Sequence, residues 1–228
     1  MCAHYESVHN KALLKAHFGV TQPNEAIRHD VWPGYLSVLI RRHEHADVGD
    51  DAVPPREALA GSFGLIPHWA KDPKIARQTY NARTETVAEK PSFRDAWKRA
   101  QHCIIPVQSF FEPDWRSGKA VPTRIMLAND EPMGLAGLWA QWRSPLGETV
   151  HSFTLLTINA DAHPLMRNFH KPQDEKRMIV VLPPERYDDW LQVQAHGRAD
   201  FLQAWPAEGF KTAAPENPRP QTASLFED

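Results

Sequence analysis

The chain has 228 residues, 42% of them hydrophobic and 24% charged, with a formal net charge of −2, which fits a globular protein long enough for one substantial core. That balance excludes a protein that holds polyanions by bulk charge, and no run reaches the ~18 apolar residues of a membrane span. Two cysteines, Cys2 and Cys103, with no CxxC exclude a disulfide framework and give no sign of thiolate-bound zinc.

The first fifteen residues, MCAHYESVHNKALLK, lack the apolar stretch of a secretory signal, so a reduced, cytoplasmic protein is expected. His4–Val20 reads as a strand or turn followed by a helix with Leu13, Leu14, His17 and Phe18 on its apolar face and Gly19 as its stop. Residues 21–34 are loop-like and end in Trp32-Pro33-Gly34. Tyr35–Arg42 is strand-like, and 43–58, with Pro54-Pro55, reads as an exposed loop. His43-Glu44-His45 places its imidazoles and carboxylate on different faces without HExxH spacing, so no metal is expected.

Ser62–Trp69 reads as a short strand running into a loop, Tyr80–Thr86 as a loop, and Lys90–Arg99 as a helix with Phe93 and Trp97 at i, i+4. Cys103–Pro106 and Gln108–Glu112 are β-like, and Thr123–Leu127, Leu135–Trp142 and Thr149–Asn159 read as a meander. Ala160–Lys176 is a polar loop containing Phe169-His170, Arg177–Leu182 a strand, Pro184–Gln192 a helix and Asp200–Trp205 a short second one. Residues 206–228, rich in Pro, Glu and Gln, are expected to be a disordered tail after a single domain over 2–205. Irregularly interspersed strands and helices imply α+β with mainly antiparallel sheet. Neither GxGxxG nor a P-loop is present, so no nucleotide cofactor is expected. No heptads or sticky edge suggest assembly, so a monomer is the default.

Charge is uneven. Between Ile66 and Cys103 eight Lys and Arg face four acids, a surplus suited to a few phosphates or to nothing more than a solvated helix face.

Cys2 follows the initiator Met1. Removal of Met1 leaves an α-amine, with an ordinary pKa of about 8, and a thiol, of about 8.5, on one residue. An aldehyde meeting that pair forms a Schiff base with the amine and then a thiazolidine ring with the thiol. A chance cysteine at position 2 reads equally well from this stretch alone.

Such chemistry needs helpers. Glu112 ends an apolar run from Ile104 through Phe110-Phe111, where desolvation raises a carboxyl pKa; a strand-end Glu in water is the alternative. His170 is a candidate proton shuttle near pH 6.5, one of twelve histidines. Asn81 and Arg83 alternate about Ala82, so an extended backbone points both the same way, toward an amine or carbonyl and a phosphate. Trp32 and Trp69 stand in Pro-containing loops, where an exposed ring stacks on an unpaired base.

The ordered set Met1-Cys2, Gly64-Leu65-Ile66-Pro67 with Trp69, Asn81-Ala82-Arg83-Thr84-Glu85-Thr86, Cys103-Ile104-Ile105-Pro106 leading to Phe111-Glu112, Leu135-Ala136-Gly137-Leu138-Trp139, and His170 followed by Arg177-Met178 resembles the SOS response-associated peptidase (SRAP) family of abasic-site processing proteins. The resemblance implies one α+β domain built on antiparallel, barrel-like sheets with peripheral helices. It implies an enzyme that forms a thiazolidine crosslink between Cys2 and the ring-opened aldehyde of an abasic site in single-stranded DNA, with autopeptidase removal of Met1. By position, Cys2 is the nucleophile, Asn81 orients its amine, Glu112 opens the deoxyribose ring and moves protons, and His170 assists Schiff-base chemistry and reversal. Arg83, Trp69, Pro33, His4 and Arg177 form the implied DNA-binding set. The same Cys2, Glu112 and His170 also suit an N-terminal thiol peptidase acting on other proteins, and a non-covalent single-strand DNA module leaves Cys2 incidental.

The sequence departs from the family's usual Cys-Gly-Arg opening with Cys2-Ala3-His4, from Trp-Gly-Leu-Ile-Pro with Phe63-Gly64-Leu65-Ile66-Pro67, and from Pro-Ala-Asp-Gly with Pro106-Val107-Gln108-Ser109. With His4 in place of Arg, DNA binding is expected to strengthen below about pH 6.5 as the imidazole gains charge.

Overall fold

The computed structural model describes residues 2–214. Strand β1 (Tyr5–Ser7) leads into helix α1 (Lys11–Phe18). Asn10 caps that helix by accepting from the Ala12 and Leu13 amides at 2.9 and 3.1 Å, and Gly19 ends it at φ +73°. Leu14 and Phe18, at i, i+4, are its buried face. Next come β2 (Asp30–Val31), β3 (Leu36–Arg42), β4 (Arg56–Phe63), β5 (Asn81–Arg83), α2 (Arg94–Lys98) and the long β6 (His102–Asp114). The remainder is β7 (Val121–Leu127), β8 (Met133–Arg143), β9 (Thr149–Asn159), β10 (Arg177–Ile179), β11 (Val181–Leu182), α3 (Tyr187–Gln192) and β12 (Phe210–Ala213).

Five strands close a mixed barrel in the order β3-β4-β9-β8-β6 and back to β3. The single domain is α+β. Two of its pairings, β4 with β9 and β5 with β9, are parallel; the others are antiparallel. Strand parity divides the core. Leu39, Cys103, Ile105, Leu135, Phe153 and Leu155 point into one buried cluster with Cys2. Their neighbours Val38, Ile40, Ile104, Ala136, Leu138 and Leu156 point into the other, against Leu14, Phe18, Trp190 and Leu191 of the helices. Successive residues of a strand face opposite sides, so strands covered on both faces lose the apolar–polar alternation and read as continuous apolar runs. Among the described residues no helix is long and apolar enough to cross a membrane.

Several expectations move. The strand expected over 62–69 runs from Arg56 to Phe63; its polar start is held by Glu57, 2.8 Å from Arg41 across the strands, and by the Arg56–Asp188 ion pair, which made the segment look like loop. The loop over 80–86 contains β5, and the helix over 90–99 is confined to Arg94–Lys98. The two β-like pieces around Gln108 are one strand. Only half of the expected meander forms: β8 and β9 pair antiparallel, but β7 pairs with β6 and β12 instead of β8. The strand expected over Arg177–Leu182 is split at Val180, and 202–205 is not helical, the preceding 3₁₀ turn covering Ala195–Phe201. The tail expected from 206 is ordered at its start. Phe210 pairs with Leu127 and packs edge-on to Phe110 at 6.1 Å. Residues 215–228 lie outside the described residues.

The link from β4 to β5 depends on Gly64. Its φ is +113°, and a Cβ there would stand 2.0 Å from the Ala76 carbonyl oxygen, a backbone atom that cannot move aside. Gly64→Ala is expected to lower unfolding free energy by more than about 2 kcal/mol, combining steric clash with a disfavoured φ; urea denaturation with an unchanged midpoint would show that the turn relaxes freely.

Candidate active site

Three pieces of backbone bring the site together. β1 pairs with β6 so that Tyr5 faces Phe110, and the Phe111 amide donates to the His4 carbonyl at 3.0 Å. This lays the Cys2 end of the chain along the strand that carries Glu112. β5 runs parallel to β9, Asn81 opposite Leu155, and its first residue reaches the same place: Asn81 Nδ2 donates to the Cys2 carbonyl at 2.8 Å. The Trp115 amide donates to the Asn168 carbonyl at 3.0 Å, tying the segment that carries His170 to the end of β6.

Cys2 is 1% exposed. Its thiol donates to the His4 carbonyl at 3.5 Å. Burial pushes the thiol well above its ordinary range, and the charge of Glu112 pushes the same way. Glu112 is 5% exposed, and the same loss of water raises its carboxyl to about 7. This carboxyl both gives and takes a proton near neutral pH. His170 goes in the other direction. Burial first, then the positive charge nearby, including Lys176 and Arg177, lowers its imidazole to about 4. The shuttle at pH 6.5 expected from an ordinary histidine is therefore replaced by a neutral imidazole across the physiological range. Asn81 Oδ1 is buried and has no hydrogen-bond partner among the described residues, an acceptor left over beside Cys2.

Tyr80 was not singled out from the sequence. It packs on the Cys2 cluster and meets Phe63 edge-on at 5.8 Å. Its phenol is raised by burial and then by the charges of Cys2 and Glu112, which places it in their neighbourhood. Its position next to Asn81 was the available signal.

The residues expected to contact DNA divide. Trp69 is 47% exposed, its Nε1 3.4 Å from the Pro91 carbonyl. Pro33 is half-buried in the Trp32-Pro33-Gly34 turn, whose Gly34 amide donates to the Phe63 carbonyl at 2.6 Å. His4 is stacked between Trp32 and Phe111, both centroids at 4.2 Å and the planes within 11°, and its Nε2 lies 3.0 Å from Asp30 Oδ1. Asp30 therefore stands beside the imidazole that was expected to meet phosphate.

Arg83 is exposed at the end of β5 and lies 2.6 Å from Glu175; a solvent-facing pair of this kind is worth about 0–1 kcal/mol and exchanges partners readily. Arg177 is 2% exposed and donates to Glu85, Glu175 and Thr157 at 2.6–3.2 Å. In place of the expected phosphate contact, it presents no phosphate-facing surface and holds the carboxylates behind Arg83. His43, Glu44 and His45 lie on an exposed turn, away from this site.

The family model described as SOS response associated peptidase (SRAP) matches residues 1–214, and the chain belongs to that family. Among curated proteins it is similar to the abasic site processing protein YoqW of Bacillus subtilis, 38% identical over 143 residues, and to the abasic site processing protein HMCES of Gallus gallus, 24% identical over 200 residues. The alignments cover 62% and 78% of this chain but 60% and 54% of those proteins, so the chain spans somewhat over half the length of these relatives. A crystal structure of a Bordetella bronchiseptica protein superposes with a TM-score of 0.84 at 42% identity, covering 95% of this chain and all of that one.

The charge of Glu112 has two measurable consequences. Between the ordinary carboxyl value and about 7 the native state binds the proton that the unfolded chain has released, so stability falls as pH rises through that window. Glu112→Gln, permanently neutral, is expected to gain in melting temperature relative to the parent from pH 5 to pH 8; a constant difference would mean that Glu112 titrates as in water. The same substitution removes a negative charge from beside the thiol and is expected to speed Cys2 alkylation several-fold at pH 8, with Cys103 unaffected.

Proposed function

We propose that the protein processes abasic sites in single-stranded DNA by capturing the ring-opened sugar on Cys2 once Met1 has been removed. The observation that carries this is the convergence on Cys2 of Asn81 and of a buried carboxyl near pKa 7, in a chain of the SRAP family whose relatives are named for abasic-site processing. An abasic deoxyribose is mostly a closed hemiacetal. Protonated Glu112 donates to the ring oxygen as the bond from C1 to that oxygen breaks, and the anomeric hydroxyl gives up its proton to water, releasing the aldehyde. The Cys2 α-amine adds to the carbonyl and one water leaves, giving a Schiff base. The thiol then adds across C=N, its proton passing to nitrogen, and the thiazolidine closes without change of oxidation state.

Burial suits this sequence. A neutral thiol resists stray oxidation and alkylation, and the imine carbon supplies the electrophile that draws it out. The leftover Asn81 Oδ1 acceptor suits an amine N–H, while Nδ2 keeps the residue 2 carbonyl in place. Neutral His170 accepts a proton from the attacking amine or from water on reversal. Arg83, exchanging Glu175 for a phosphate, Trp69 and Pro33 receive the strand. The autopeptidase step is hydrolysis of the Met1–Cys2 peptide, consuming one water and releasing methionine, with Glu112 as the base for that water.

A single-stranded oligonucleotide carrying one abasic site is expected to give a band that survives denaturing electrophoresis and disappears in Cys2→Ala. Glu112→Gln is expected to slow the parent rate by about 10²-fold, the range of a lost general acid, while non-covalent strand binding stays within a few-fold. No band from the parent, with turnover of peptides instead, would favour a thiol peptidase. Reversible binding indifferent to Cys2 would leave only a DNA-binding module.

A further inference from the structure

Of the eight cations between Ile66 and Cys103, Arg83 alone is assigned to the Cys2 site. Another of them stands between two open clefts. The first, of about 340 Å³, lies between the loop at Pro67-His68, the α2 segment and the end of β8. The second, of about 330 Å³, lies between Arg42 at the end of β3, Ala100 and the C-terminal end of α3. Arg99 lines both.

The polar lining of the first cleft includes His68, Asp95, Arg99, Gln101, Gln141 and Arg143. Its one carboxylate, Asp95, has Oδ2 3.4 Å from His68 Nδ1. Among the described residues Arg99 and Arg143 form no ion pair, and both are exposed. These arginines come from different elements, the end of α2 and the end of β8, so helical spacing does not account for their meeting as it would for a solvated helix face. Trp69, 47% exposed, stands on the loop that forms one wall. Two cations in no ion pair among the described residues, two side-chain amides and a neighbouring exposed indole are the components of a single-strand track: cations for phosphates, a flat ring for a base. Two clefts in series, joined at Arg99, suit a repeating anion better than a single small one.

We propose that this double cleft is an auxiliary binding track for single-stranded nucleic acid beyond the reacting nucleotide, with Arg99 and Arg143 on phosphates and Trp69 stacking a base at its entrance. The proposal rests on the reading that Cys2 acts on DNA, and its test is separable from that reading.

Fluorescence anisotropy with unmodified oligothymidylates of about 30 and about 8 nucleotides measures the track, the shorter being comparable to one site's footprint. The variant Arg99→Gln/Arg143→Gln is expected to bind the longer strand about 10-fold more weakly, and its log K against log salt slope to fall by about 1.4, that is about 0.7 for each single-strand phosphate released. The preference for the longer strand shrinks accordingly. Arg99→Lys/Arg143→Lys is expected to recover most of the loss. Lys11→Gln/Lys15→Gln, which removes equal charge from the exposed side of α1, is expected to stay within about two-fold of the parent, since remote charges are screened. Equal affinity and slope for the arginine variant and the parent, or an equal loss from the lysine variant, would overturn the track. The parent is tested separately for a covalent band on a short abasic strand. Failure there removes the abasic reading, whereas a band together with an unaffected arginine variant removes the track alone.

Discussion

Everything in the site depends on the pairing of β1 with β6. Three residues of strand, Tyr5–Ser7, and the His4 carbonyl bonded to the Phe111 amide lay the start of the chain along the inner strand of a closed barrel. A chain terminus is ordinarily among the most mobile parts of a protein. Here Tyr5 is fully buried, edge-on to Phe63 at 5.2 Å, and Cys2 is buried beside it. The conformational cost of ordering a terminus is offset by a large aromatic side chain, roughly 1.5–3 kcal/mol for complete burial of such a group. Cys2 thus becomes part of a packed wall instead of a loose end.

The same burial sets the protonation states. One physical cause, loss of water, raises the Cys2 thiol and the Glu112 carboxyl and lowers His170. Each group is moved toward its uncharged form. The site at neutral pH therefore holds a neutral thiol, a carboxyl near its midpoint and a neutral imidazole. Of the three, only Glu112 changes charge near pH 7, which suits it to the acid–base role proposed for it, with His170 in the proposed role of acceptor. Asn81 adds position without charge. Beside this buried centre the ionic residues Arg83, Glu175, Arg177 and Glu85 pair with one another.

Much of this was legible in the sequence, for reasons that differ by residue. Cys2, Asn81 and Glu112 lie in distinct local contexts: a chain start, a short alternating polar stretch and the end of an apolar strand. The capped helix at Lys11–Phe18 was legible from Gly19 and the i, i+4 pair. What the sequence concealed depends on long-range partners. Arg56–Leu59 looks polar because its stabilising contacts, Arg41 and Asp188, are distant in the chain. β12 hides behind Pro206 because a single aromatic, Phe210, secures it to β7. Arg177 looks like a phosphate ligand because charge is visible in a sequence and burial is not. His170 looks like an ordinary titrating imidazole for the same reason. Tyr80 escaped notice because its proximity to Cys2 and Glu112 arises only when β5 joins β9.

The central claim is that one residue supplies both bonds to the sugar. Digesting the denatured adduct with trypsin and measuring the mass of the peptide from Cys2 to Lys11 tests it most directly. The account predicts that this peptide, without Met1, carries the sugar residue with loss of one water, and that neither its amine nor its thiol accepts a blocking reagent. A sugar attached to a lysine, or to a Cys2 whose thiol still alkylates, would contradict it.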